Sequence, residues 1–164
     1  MSRISVMLLI PGAFLLSSCS HGSTGTSIIP PVQAQAGYSN SSISGTYSIV
    51  LASPYNNPDG LGYTESIGSF SADGNGNITS GSLTEREAGD TTVCAIAITG
   101  TYSLQSSAAG TASVTTKSTL TSGTGPCRPN RSIAFAIAAG QQGATLLFAE
   151  TDSTALLSGT AVKQ

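Results

Sequence analysis

The chain has 164 residues, of which only 9% are charged and 5% aromatic, with no tryptophan and a formal net charge of −2. This length suits one domain of ordinary size, and the acidic balance argues against nucleic acid as a partner. Glycine, serine, threonine and alanine are abundant, which favours β-structure with a core of small residues over long helices.

The first 18 residues are predicted to be an export signal. Arg3 precedes an apolar run, Ile4 to Leu16, that is too short to span a membrane. The run ends in Leu-Ser-Ser-Cys at residues 16–19, which resembles the lipobox of bacterial lipoproteins. The resemblance implies cleavage before Cys19, lipidation of that residue and attachment to the cell envelope, with the outer membrane favoured. An ordinary secretory signal or a retained anchor is the alternative.

Residues 19–43 are predicted to form a flexible tether between this anchor and a β-domain over residues 44–164. The segment is rich in glycine, serine, threonine and glutamine, contains Pro30-Pro31 and shows no sustained periodicity. The single histidine of the chain, His21, lies in this segment, which argues against an acid–base or metal-binding role for it.

From Ser44 onward, apolar and polar residues alternate with the period of a β-strand. Eight strands are predicted, at Ser44–Ser53, Gly62–Ala72, Ile78–Thr84, Thr92–Leu104, Gly110–Leu120, Ser132–Ala139, Ala144–Glu150 and Ala155–Val162. The inward face of the third strand is ambiguous. Before it, Asp73-Gly-Asn-Gly-Asn77 is typical of a tight hairpin. This segment begins like an EF-hand loop, but it has Ile78 where the sixth position needs glycine and Thr84 where the twelfth needs glutamate.

The pattern predicts an all-β fold, an eight-stranded antiparallel up-and-down meander that closes into a calycin-like barrel, because closure leaves no exposed strand edge. A two-sheet β-sandwich is the alternative. Cys94 opens the fourth strand and Cys127 follows the fifth, so the meander brings both to the same end and a disulfide is predicted. A redox or metal site made by two free thiols is the alternative.

The loops between strands one and two, three and four, five and six, and seven and eight share one end of the barrel, here called the distal end. They are generally longer than the opposite loops and hold most of the charges, and loops on a rigid scaffold often carry binding sites. A candidate binding face is predicted from Tyr55, Asn57, Asp59, Tyr63, Glu85, Arg86, Asp90, Arg128, Arg131 and Asp152. The alternative is that charged residues collect in loops because loops are solvated.

Catalysis is not predicted, since no nucleophile with an attendant base can be assembled. Glu85 and Glu87 with Asp59, Asp90 or Asp152 could supply a carboxylate pair for glycoside hydrolysis. Any eight acidic residues allow such a pair, however, and the lack of tryptophan removes the usual stacking platform for sugars. We expect no cofactor and no metal.

Three segments carry a family resemblance: Ser-Gly-Thr-Tyr-Ser-Ile from Ser44, the stretch Gly68–Gly81, and Thr-Gly-Thr-Tyr-Ser-Leu from Thr99. They are similar to S-G-x-Y-x-F, G-S-F-x-A-D-G-N-G-N-I-x-x-G and T-G-x-Y-x-V in exported proteins of soil bacteria of the acidobacterial kind. That family supplies no catalytic residues to transfer. The Gly-Thr-Tyr strands also resemble avidin and lipocalin relatives, but the tryptophans of the biotin site are missing here.

These observations lead to a functional expectation of a lipid-anchored envelope barrel, exposed to the periplasm or the cell surface. Its distal loops are expected to bind a protein or glycan without catalysis. One alternative is a carrier that holds a small apolar ligand in the barrel lumen. The other is a purely structural coat lipoprotein.

Overall fold

The computed structural model describes residues 37–53, 64–87, 91–152 and 157–164. The predicted signal, Cys19, His21 and most of the predicted tether lie outside these residues. The described residues form two short 3-10 helices, Asn40–Ser42 and Gln141–Gly143, and eight strands. The strands are β1 Ser44–Ser53, β2 Thr64–Asp73, β3 Asn77–Glu87, β4 Val93–Leu104, β5 Ala109–Ser122, β6 Ser132–Gly140, β7 Thr145–Glu150 and β8 Ser158–Lys163.

The strands form a closed antiparallel barrel in which each pairs with the next and β8 returns to β1. Tyr47 of β1, for example, lies opposite Phe70 of β2 on one side and Lys163 of β8 on the other. The predicted up-and-down barrel is confirmed, and the sandwich alternative is wrong. The predicted strands match the observed ones to within a few residues at their ends.

The alternation of the sequence places the core inside the barrel. Tyr47, Ile49 and Leu51 are all buried, as their period of two predicts. On β3, Ile78 and Leu83 both face inward although they lie five positions apart, and an odd spacing normally puts two residues on opposite faces of a strand. A register shift between Ile78 and Gly81 inserts a bulge that reverses the inward phase. This bulge explains why periodicity alone left the third strand ambiguous.

The predicted reversal after β2 is confirmed as a tight turn that is organised by Asp73. Its carboxylate accepts hydrogen bonds from the backbone N–H groups of Asn75 at 2.7 Å and Asn77 at 3.0 Å, and from the Asn77 side-chain amide at 2.7 Å. These hydrogen bonds lower the pKa of Asp73, and the bond from the Asn77 side chain has the largest effect. Gly74 and Gly76 adopt positive φ values of 77° and 102°. Protein donors therefore occupy the two Asp73 carboxylate oxygens, which would be the first calcium ligands of an EF-hand loop.

The end of the barrel opposite the distal end, here called the proximal end, is closed by the end of the predicted tether. Ile43 is only 2% exposed, and its carbonyl accepts a hydrogen bond from the Tyr102 hydroxyl. The Asn40 side chain accepts one from the Leu104 N–H at 2.8 Å. Residues 37–43 therefore pack with the barrel.

Candidate functional site

The distal half of the barrel lumen contains a cavity of about 50 Å³. Its walls are mainly apolar side chains that point inward from the strands: Ile49, Leu51, Leu83, Ile96, Ile98, Val114 and Ile133, together with Leu157 before β8. A single water needs roughly 10–15 Å³ of such space. The cavity therefore has room for an occupant of several non-hydrogen atoms.

The rings of Phe70, Phe135 and Phe148 form the floor of this cavity, and Tyr47 stacks on Phe70. The ring centroids of Tyr47 and Phe70 lie 5.1 Å apart in a stacked pair, while Phe148 meets Phe70 and Phe135 edge-on at 6.2 and 5.9 Å. Phe70 and Phe148 also border a smaller void of about 10 Å³ on the proximal side. The aromatic layer therefore separates the cavity from the closed proximal end.

Arg128 enters the lumen at the distal rim of the cavity and is 6% exposed. Its Nε lies 3.4 Å from Oε1 of Glu85, and its Nη2 donates a hydrogen bond to the Thr64 hydroxyl. The other oxygen of Glu85 accepts a hydrogen bond from the Ser66 hydroxyl at 3.1 Å. We call these four residues the Arg128 cluster.

Two local features bring the cluster inside. Glu85 shares the inward phase of Leu83, which the bulge in β3 creates. Arg128 directly follows Cys127, whose disulfide to the inward-facing Cys94 confirms the predicted pairing, with the two Cα atoms 5.9 Å apart. This bond ties the β5–β6 loop to the barrel wall and so holds Arg128 over the lumen.

Two nitrogens of Arg128 are buried and have no hydrogen-bond partner among the residues that the structure describes. One is Nε, which forms only the ion pair with Glu85, and the other is Nη1. A guanidinium offers five N–H donors, and a buried donor without an acceptor costs about 1–3 kcal/mol, or more when it is charged. An acceptor that enters the cavity would remove this cost.

Arg131, which also lines this cavity, belongs to a second ion pair. Nη2 of Arg131 lies 3.6 Å from Oε1 of Glu150, and the other Glu150 oxygen accepts a hydrogen bond from the Leu157 N–H at 2.9 Å. Burial is the largest influence on Glu150, which is 7% exposed, and raises its pKa to about 7. This carboxylate is therefore protonated to a larger extent at neutral pH than an exposed glutamate.

The residues of the predicted binding face lie in different surroundings. Glu85 and Arg128 are buried, and Arg131 lines the cavity with a side chain that is 16% exposed. Arg86 is exposed, and Asp152 is half-buried and accepts a hydrogen bond from the Ala134 N–H at 3.4 Å. The remaining predicted residues lie outside the described part of the chain: Tyr55, Asn57, Asp59, Tyr63 and Asp90.

Sequence reasoning missed the hydroxyl groups of the cluster. Thr64 and Ser66 lie four and two residues before Gly68, respectively, in the same inward phase as Phe70. Polar side chains at inward positions of a strand were the available signal, because such groups need partners inside the barrel. Glu85, a member of the predicted carboxylate pairs, is paired with Arg128 instead.

Comparison of the chain with protein-family models, curated proteins and solved structures finds no match. The resemblance to exported acidobacterial proteins therefore stays a prediction. Within residues 37–53, 64–87, 91–152 and 157–164, no group of three or more histidine, cysteine, aspartate or glutamate side chains could hold a metal ion. No helix in these ranges has the length and apolar character needed to cross a membrane.

Proposed function

We propose that this protein is a lipid-anchored binding protein of the bacterial cell envelope that holds a small, largely apolar ligand in the distal lumen of its barrel. The observation that carries the proposal is the cavity itself, which combines apolar walls, an aromatic floor and a few polar side chains. Small-molecule sites have this composition, because apolar surface supplies affinity and a few polar groups set orientation.

The burial of the charged residues favours the lumen over the loop surface as the binding site. Glu85 and Arg128, which the loop-face hypothesis needs at the surface, are 7% and 6% exposed. A macromolecular partner could reach them only after their buried pair had separated, and separating such a pair costs several kcal/mol. A small ligand inside the lumen meets Arg128 where it already lies.

The proposed envelope location rests on the Leu-Ser-Ser-Cys motif. Lipidation of Cys19 would hold the barrel at a membrane surface, and the residues between Cys19 and the barrel would act as its leash. Residues 37–43 close the proximal end, and the Tyr47 hydroxyl also donates a hydrogen bond to the Gly143 carbonyl there at 2.8 Å. Ligand entry is therefore assigned to the distal end.

The proposal is tested with the full-length protein purified from its host membranes. Native mass spectrometry is expected to show a co-purified small molecule, and an environment-sensitive apolar dye is expected to bind the emptied protein. Val114→Phe, which places a ring in the cavity, should weaken dye binding at least about tenfold. Thr115→Phe adds the same ring at the next, exposed position of β5 and should leave binding unchanged.

Two outcomes would overturn the proposal. One is that the wild-type protein carries no ligand and takes up no dye. The other is that Val114→Phe and Thr115→Phe bind the dye equally well, which would place the dye outside the lumen.

A further inference from the structure

The cavity joins an apolar interior to the buried guanidinium of Arg128, whose Nη1 has no acceptor among the described residues. We propose that the ligand of this lumen is a small monocarboxylate, with its apolar tail against the aromatic floor and its carboxylate on Nη1 of Arg128. This inference rests on the proposed lumenal site and specifies the chemistry that the site selects.

The contacts of Arg128 with Glu85 and Thr64 leave its Nη1 for an anion. Nε faces Glu85 and Nη2 donates to Thr64, so these two nitrogens hold the guanidinium in place. Nη1 lacks an acceptor among the described residues, and Arg128 lines the cavity. The planar guanidinium matches a carboxylate better than a hydroxyl, and charge-assisted hydrogen bonds are about twice as strong as neutral ones.

The surrounding charges oppose an anion only moderately. Glu85 is the nearest carboxylate, but it is held by Arg128 and by the Ser66 hydroxyl. Glu150 carries less negative charge near neutral pH than an exposed glutamate, because burial raises its pKa to about 7. Arg131 lies at the same cavity and adds a second cation. A cationic ligand would meet both arginines and is disfavoured.

The dimensions of the lumen limit the tail to a short one. The cavity of about 50 Å³ ends at the ring layer that includes Phe70 and Phe148, and the proximal void beyond it is about 10 Å³. A long acyl chain would have to displace this layer, in which three ring pairs pack on one another. We therefore expect a tail of a few carbon atoms.

The test compares each carboxylate with the alcohol of the same tail, using calorimetry on the full-length protein at neutral pH. Propanoate, pentanoate and octanoate are matched with propan-1-ol, pentan-1-ol and octan-1-ol. Pentanoate is expected to bind at least about tenfold more tightly than pentan-1-ol, the ratio that one charge-assisted hydrogen bond supplies. Octanoate is expected to bind more weakly than pentanoate.

Three variants assign the preference to Arg128. Arg128→Gln should keep the pentan-1-ol affinity and lose the preference for pentanoate. Glu85→Gln removes the nearest competing carboxylate and should tighten pentanoate binding several-fold without changing that of pentan-1-ol, a gain that a merely structural ion pair would not produce. Lys117→Gln removes an exposed cation on β5 and should change neither affinity.

A fourth variant is the control for the case in which a single substitution unfolds the protein by leaving one charge of the buried pair without a partner. Combining Glu85→Gln with Arg128→Gln removes both charges and leaves no unpaired ion. It should bind pentan-1-ol as the wild type does and show no preference for pentanoate.

The outcomes separate the two proposals. Equal binding of pentanoate and pentan-1-ol by the wild type would overturn carboxylate recognition and leave the lumenal site standing. A preference that survives in Arg128→Gln or in the double variant would also overturn it. If none of the three carboxylates, the three alcohols and the apolar dye binds the protein, the lumenal site is overturned as well.

Discussion

Removal of the Cys94–Cys127 disulfide should destabilise the barrel substantially. The bond closes a loop between cysteines 33 residues apart. The chain-entropy relation for a loop of this length gives about 4 kcal/mol, because the bond restricts the unfolded chain. This is a large fraction of the 5–15 kcal/mol that stabilises a typical domain, so we expect the double variant Cys94→Ala with Cys127→Ala to unfold at much lower denaturant concentration.

Urea unfolding followed by far-ultraviolet circular dichroism and tyrosine fluorescence measures this loss. The wild type with its disulfide reduced serves as the matched control, since it loses the same covalent loop without changing a side chain that packs. Both forms should lose similar stability. A loss below about 1 kcal/mol in both would refute the loop-closure reasoning.

The same variant also tests the link between the disulfide and the site. Arg128 follows Cys127 directly, and we infer that the bond holds its guanidinium over the lumen. The preference for pentanoate over pentan-1-ol should therefore fall in the double variant under conditions where the barrel remains folded. An unchanged preference would show that the contacts of Arg128 with Glu85 and Thr64 position it without help from the bond.

Three further predictions concern single positions. Burial raises the pKa of Glu150 from 4.5 to about 7, so its contribution to the free energy of unfolding is fully present below pH 4.5 and is lost as the pH rises to 7, by on the order of 3 kcal/mol. Unfolding measured at several pH values should show this fall in stability in the wild type but not in Glu150→Gln. Gly159→Ala would place a Cβ 1.9 Å from a carbonyl oxygen of β1 and should cost about 1–3 kcal/mol, whereas Gly140→Ala, whose nearest neighbours are 4.0 Å away, should leave the melting temperature nearly unchanged; equal effects would contradict the packing argument. Tyr47→Phe removes the donor to the Gly143 carbonyl and should cost about 1 kcal/mol in urea unfolding, while no measurable loss would show that this carbonyl finds another donor.

Much of the fold follows from local sequence patterns. The alternation of Tyr47, Ile49 and Leu51 with polar residues places one face of β1 inside, and the Asp73–Asn77 segment defines a reversal that needs glycine at positive φ. Short links between successive strands allow few topologies other than a meander, and that topology brings Cys94 and Cys127 together. These features depend on neighbours in sequence or on strand order, so they can be predicted.

Whether the charged side chains at the distal end point into the lumen or into water was decided by tertiary structure alone. Glu85 points inward because a bulge between Ile78 and Gly81 reverses the inward phase of β3. The residues around Ile78 do not show that a bulge is present, so the sequence does not show which face Glu85 takes. Arg128 lies in a loop, where side chains have no period, and its burial depends on the disulfide and on Glu85 and Thr64, which come from distant parts of the chain. The sequence by itself determines the strands, their order and the disulfide. Whether a charged side chain faces water or the lumen depends on which partners the closed barrel brings within reach, because burial of a charge is stable only beside such partners.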